Sequence, residues 1–117
     1  MVNIPIKHYF STGIYMREMH MPRGAIVIGA EHKSNHMTIV SKGAVQVRIG
    51  KESKLVEAPA TFETLAGSRK LIFAYVDSVV TNIIATELTD IEEIEEQFTT
   101  LHKDRELLEA KEKQWLS

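Results

Sequence analysis

The sequence predicts a mainly β, antiparallel barrel followed by one long C-terminal α-helix. Three observations carry that expectation: short period-2 segments in close succession, turn chemistry between them, and a late switch to a period of 3.6. The clearest strand is Ala44-Val45-Gln46-Val47-Arg48-Ile49, where apolar and polar residues alternate as a half-buried strand requires. Gly43 precedes it and Gly50-Lys51-Glu52-Ser53 follows, because tight turns between strands demand a positive φ that glycine accepts. Further strands are expected over 14–21, 25–29, 36–40, 54–57, 61–64, 70–75 and 79–85. Pro22-Arg23-Gly24, Ser41-Lys42-Gly43, Ala58-Pro59 and Ala66-Gly67-Ser68 separate them. Strands so closely spaced, with no helical stretch between, argue against a parallel βαβ sheet. The first fourteen residues read as an edge strand or arm.

After Thr89-Asp90 the pattern changes. Apolar residues fall at Ile91, Ile94, Phe98, Leu101, Leu108 and Trp115, and neither Gly nor Pro occurs from residue 90 onward. Thr89 or Asp90 supplies the N-cap, Glu92, Glu93, Glu95 and Glu96 sit near the positive end of the helix dipole, and Lys111 and Lys113 near its negative end. The expected organisation is a barrel domain with an N-terminal arm over 1–89 and a helix over 90–117.

The chain has 117 residues, a length that fits one core. Apolar residues make up 44% and charged residues 26%, as in an ordinary globular domain. No apolar run approaches the ~20 residues of a membrane span, and the N-terminus lacks the pattern of an export signal. The expectation is therefore no membrane partner. Cysteine is absent, which excludes disulfides, thiol nucleophiles and zinc–thiolate sites and suits a cytoplasmic setting. A net charge of −2 is too small for a dedicated nucleic-acid binder. Residues 1–89 hold ten Lys/Arg against seven Asp/Glu, and residues 90–117 four against nine, so a mildly basic body precedes an acidic tail.

Residues 24–43, GAIVIGAEHKSNHMTIVSKG, resemble the first motif of the cupins, a glycine followed by a His-x-His pair, a glutamate and a closing glycine. With Gly43 as the closing glycine, the glutamate position falls on His36, the second histidine position on His32 and the first on Ala30. Leu65-Ala66-Gly67-Ser68-Arg69-Lys70 resembles the turn of the second motif, with Leu65 in place of its proline and Lys70 in place of its histidine. The resemblance covers residues 13–86 and implies a cupin-like antiparallel jelly-roll barrel. The chain is also similar to small cupin-like proteins of tailed bacteriophages. That likeness lies in residues 8–18 (HYFSTGIYMRE), the HKxxH segment, Ala58-Pro59, Ala66-Gly67 and residues 89–95 (TDIEEIE). It implies a viral origin, with the protein in the host cytoplasm or associated with the virion. It also implies a histidine in the last strand, where this chain has Ile84.

His32 and His36 are the candidate metal ligands, since imidazole is the commonest metal-binding side chain and Glu31 could add an oxygen. Two histidines make a sparse site, and Ala30 and Lys70 occupy the partner positions, so no cofactor is expected and a divalent metal is the minority reading. If Lys70 points inward beside His32 and His36, the three form a donor-rich pocket for a small anionic ligand. Lys33, Lys42 and Arg69 either join Lys70 in such an anion site or are solubilising surface charges. Tyr15 and Arg17, on one face of an early strand, either grip an anion or decorate an exposed sheet. Leu101, Leu108 and Trp115 continue the apolar stripe of the helix and predict a homo-oligomer, because an exposed stripe of this kind calls for a partner.

Three functions remain open from these residues. The first is a non-enzymatic binding or assembly protein, oligomerising through its helix and meeting a phage or host protein. The second is a cupin that binds or sequesters a small anion. The third is a divergent metal-dependent enzyme, or an acid–base isomerase, using His32 and His36.

Overall fold

The computed structural model describes residues 4–29 and 33–87, and the helix expected from residue 90 lies outside them. Nine strands follow in order: β1 (Ile6–Ser11), β2 (Ile14–Met21), β3 (Ile26–Ile28), β4 (His36–Lys42), β5 (Ala44–Ile49), β6 (Glu52–Glu57), β7 (Ala60–Thr64), β8 (Lys70–Ala74) and β9 (Ser78–Ala85). No helix lies among the described residues. All strand pairs are antiparallel, in a five-stranded sheet ordered β1-β2-β9-β4-β7 and a four-stranded sheet ordered β3-β8-β5-β6. Late strands β8 and β9 insert between early ones, which is the interleaving of a jelly roll.

The pleat sends alternate residues inward. From the larger sheet Tyr15, Met19, Met21, Val40 and Val80 are buried, and from the smaller one Val45, Val47, Val56, Ile72 and Ala74. Val40, Val45 and Val80, nearly devoid of solvent contact, fit the prominence of β-branched residues in packed sheets.

This interior changes character along its length. At one end the register sets Val45 against Ala74 and Val40 against Val80, an apolar plug. Toward the other, the inward positions of β4 run backward from Val40 to Thr38 to His36, and those of β8 from Ala74 to Ile72 to Lys70. His36 pairs with Thr64 on β7, Thr38 with Asn82 on β9, and Ile49 with Lys70. Polar groups from four strands therefore meet inside the barrel at its His36 end.

The turn between β4 and β5 lies tight against the apolar end. Gly43 joins β4 to β5 at a φ of 85°, in the left-handed region that side chains resist. Its carbonyl accepts from the Ala58 amide at 2.9 Å, and the neighbouring Ala44 amide donates to Ser78 Oγ at 3.2 Å. The chain thus turns directly against the start of β9, with no room for a Cβ.

Candidate functional site

Lys70 is the first inward residue of β8, and only 5% of its surface meets solvent. Its Nζ donates to Thr38 Oγ1 at 2.9 Å, Thr64 Oγ1 at 3.0 Å and Asn82 Oδ1 at 3.3 Å. An ammonium has three N–H donors and here finds three oxygen acceptors. The acceptors are themselves linked. Thr38 Oγ1 donates to Asn82 Oδ1 at 2.9 Å, leaving its lone pairs for Lys70 and for the Thr64 hydroxyl at 3.0 Å. The ring of Phe62, inward on β7, lies with its centroid 5.7 Å from the ammonium and adds a cation–π contact.

His36 opens β4 beside this network and is 4% exposed. Burial, reinforced by the positive charge of Lys70, lowers its pKa to about 4; hydrogen bonds with the Ser34 backbone and the Asn82 side chain work in the other direction. Burial alone pushes Lys70 down to about 8. At neutral pH the site therefore holds one neutral imidazole and one ammonium.

The three residues that sequence reasoning grouped fare differently. His36 and Lys70 stand at the same end of the barrel, both directed inward. His32 lies outside the described residues, as do Leu101, Leu108 and Trp115. The strand that carries His36 begins at that residue, with a bend at Lys33 and Ser34 before it. Ile84 is buried, and the inward residue of β9 that meets Lys70 is Asn82, two positions earlier. Thr38, Thr64 and Asn82 went unnoticed in the sequence. Thr38 was within reach by counting two residues from His36, but threonine is common on either face of a strand.

The donor set is a poor match for a metal. The third ligand position of the motif carries an ammonium whose neighbours are two hydroxyls and an amide oxygen, and no group of three His, Cys, Asp or Glu side chains gathers among the described residues. A cation placed between His36 and Thr38 would meet the positive charge of Lys70.

At the same end a cleft of about 600 Å³ opens between the β5–β6 hairpin and β7. Val47, Ile49 and Phe62 give it an apolar part to its lining, and Lys51, Lys54, Glu52 and Glu63 a charged one. Phe62 belongs both to this cleft and to the surroundings of Lys70.

The barrel has close counterparts among solved structures. KdgF from Halomonas sp. superposes with a TM-score of 0.63 at 18% identity, over 74% of this chain and 82% of that one. A cupin superfamily protein from Desulfitobacterium hafniense gives 0.64 at 10% identity, over 71% and 77%. This is a cupin fold. The cupin domain of an XRE family transcriptional regulator from Enterobacter cloacae matches as well, with a TM-score of 0.62 at 11% identity, over 71% of this chain and 96% of that one. A glycine-to-alanine mutant of salicylate 1,2-dioxygenase from Pseudoaminobacter salicylatoxidans also matches, at a TM-score of 0.64 and 11% identity, over 70% of this chain and 26% of that one. Enzymes and a regulatory domain thus share the cupin architecture, and at these identities the likeness extends to the fold alone. No family model matches the sequence, and no curated protein matches it.

Proposed function

We propose that this chain is a non-enzymatic cupin-fold binding or assembly protein, whose barrel is a rigid body with a lysine as its internal cation. The observation that carries this reading is the Lys70 ammonium, with each of its three donors on an oxygen of the barrel wall. A group so satisfied offers no donor to a substrate without breaking a bond already made, and a proton shuttle needs a group that can exchange its partners. Among the described residues, the groups that set the pKa of the neutral, buried His36 beside it include no carboxylate to raise its basicity. The likeness of residues 8–18 and 89–95 to the phage-encoded group supports a viral origin, and the acidic C-terminal segment with Leu101, Leu108 and Trp115 supports assembly.

Elemental analysis of protein purified without chelator tests the reading. The expected result is no stoichiometric transition metal, and a melting temperature unmoved by added chelator, since removing a ligand bound only to the native state lowers that temperature. Near-equimolar iron, manganese, nickel or zinc, lost in a His36→Ala variant, would move a metal-dependent enzyme to first place.

The second reading, a small-ligand binder, rests on the cleft beside Phe62. Lys51 and Lys54 could hold an anionic group beside Val47, Ile49 and Phe62, although Glu52 and Glu63 in the same lining disfavour a ligand that is only anionic. Loss of binding to a panel of carboxylates and phosphates in a Lys51→Gln/Lys54→Gln double variant would favour it.

A further inference from the structure

The outer face of the five-stranded sheet carries an unbroken apolar row. The registers align Tyr9 of β1 with Met16 of β2, Met16 with Ile83 of β9, and Ile83 with Met37 of β4. Ile14 and Ala85 form a pair on one side of this row, and Ile39 stands two residues from Met37 on the other. Tyr9 is 45% exposed, Ile14 44% and Met37 39%, while Met16, Ile39 and Ile83 are half-buried. Both sheets bury their opposite faces against each other, so no described strand covers this row. A four-strand apolar stripe on an outer face needs an explanation that a lone exposed residue does not.

The path of the chain names the occupant. β9 ends at Ala85, beside Ile14, and the Thr86 amide donates to the Gly13 carbonyl at 2.9 Å. Residue 87 therefore leaves the sheet at the margin of the apolar row, with thirty residues still to follow. The first apolar positions of those residues are Ile91, Ile94 and Phe98, at spacings of three and four. In the helical register that this spacing predicts they share one side, whereas Glu92, Glu93 and Glu96 fall on the other. From Ile91 to Phe98 such a register rises about 11 Å at 1.5 Å per residue. Met16, Ile83 and Met37 cover two strand spacings of about 4.8 Å each, or roughly 10 Å.

We infer that residues 91–98 of the same chain dock on the outer face of the five-stranded sheet, with Ile91, Ile94 and Phe98 against Met16, Ile83 and Met37. The inference is independent of the reading of the barrel interior. It makes this face an intramolecular docking surface, and it leaves Leu101, Leu108 and Trp115 beyond the sheet for contact with another molecule.

The chain has no cysteine, so single cysteines report on the face directly. Met37→Cys on the apolar row is compared with Leu55→Cys on the outer face of the other sheet, where Leu55 is 51% exposed. In the full-length chain Met37→Cys should react with a thiol reagent about tenfold more slowly than Leu55→Cys, because a docked segment must open before the reagent enters. The difference should persist on dilution and disappear when Ile91→Ser, Ile94→Ser and Phe98→Ser are added. A disulfide between Met37→Cys and Ile94→Cys, formed within one chain, gives a second readout should the triple variant fail to fold. Equal reactivity at the two positions in the full-length chain would overturn the inference. Protection lost on dilution would overturn it too, by assigning the face to a second copy.

Discussion

The proton on Lys70 is held by opposing influences. Burial disfavours the ammonium and takes its pKa from an ordinary 10.5 to about 8, while two threonine hydroxyls and the Asn82 carbonyl give each N–H an acceptor. The unfolded chain keeps this proton up to about 10.5 and the folded one releases it near 8, so between those values the unfolded state binds more protons. Stability contributed by this residue should therefore rise with pH across that window, by about 3 kcal/mol at most. Subtracting denaturant curves of a Lys70→Met variant from those of the parent isolates the effect, and an unchanged slope in the variant would refute it. His36 works the same way at lower pH. Its pKa falls from 6.5 to about 4 through burial and the Lys70 charge, so acidification protonates the unfolded chain first. Its contribution should be intact above pH 6.5 and be lost progressively down to about pH 4. A His36→Gln variant should flatten that decline, as read from urea midpoints across the same range. The resemblance to the cupin motifs singled out His36 and Lys70 as candidates. Their partners were hidden because a strand sequence does not say which inward residue on a distant strand lies opposite, and Asn82 is 44 positions from Thr38.

Strand boundaries were largely readable, for a local reason. β2 and β5 coincide with the period-2 segments at 14–21 and 44–49, because alternation and flanking glycines are both properties of the nearest few residues. β1 was readable only as an edge strand or arm, since every residue in it is exposed and no alternation marks it. β6 begins two residues earlier than expected, at Glu52, where pairing with Ile49 across a tight turn rather than hydrophobicity decides the start. Strand order was beyond reach, because insertion of β9 between β2 and β4 depends on contacts some forty to seventy residues apart. The turns allow a sharp comparison at this scale. A Cβ at Gly43 would strike Ser78 Oγ and the Asp77 carbonyl, while one at Gly50 would meet nothing, although both glycines have a positive φ. Gly50→Ala should cost about 1 kcal/mol, the conformational penalty alone. Gly43→Ala should cost well over 2 kcal/mol, because the backbone of β9 must also move. Equal midpoints for the two variants would mean that the β4–β5 turn is free to shift away from β9.

For the whole molecule, the hydrogen-bond ladders of the barrel are formed among the described residues. Among the described residues, each strand of both sheets has its ladder partners within residues 6–85. A chain ending at residue 99 should therefore fold, and by the docking inferred above it keeps Ile91, Ile94 and Phe98 to cover the outer apolar row. It lacks Leu101, Leu108 and Trp115, the remainder of the stripe. Side chains of this size contribute roughly 1.5–3 kcal/mol each when fully buried, so removing three from every subunit is enough to dissociate an assembly that depends on them. Arg105 and Glu112 lie among them at heptad spacing, where opposite charges can set the register of neighbouring helices. Light scattering should report a larger particle for the full-length protein than for the shortened one, with the same far-ultraviolet β signature in both. A full-length protein that is monomeric at high micromolar concentration would remove the assembly role, and Leu108 and Trp115 would then have to be covered by their own barrel. A further cut after Glu87 should behave differently. By the docking inferred above, it would strip the cover from Tyr9, Met16, Ile83 and Met37 and leave the described strand ladders intact, so the product should bind a hydrophobic dye and self-associate through its outer face. If that product stays monomeric and dye-free, the row tolerates water and the C-terminal segment has some other place to dock.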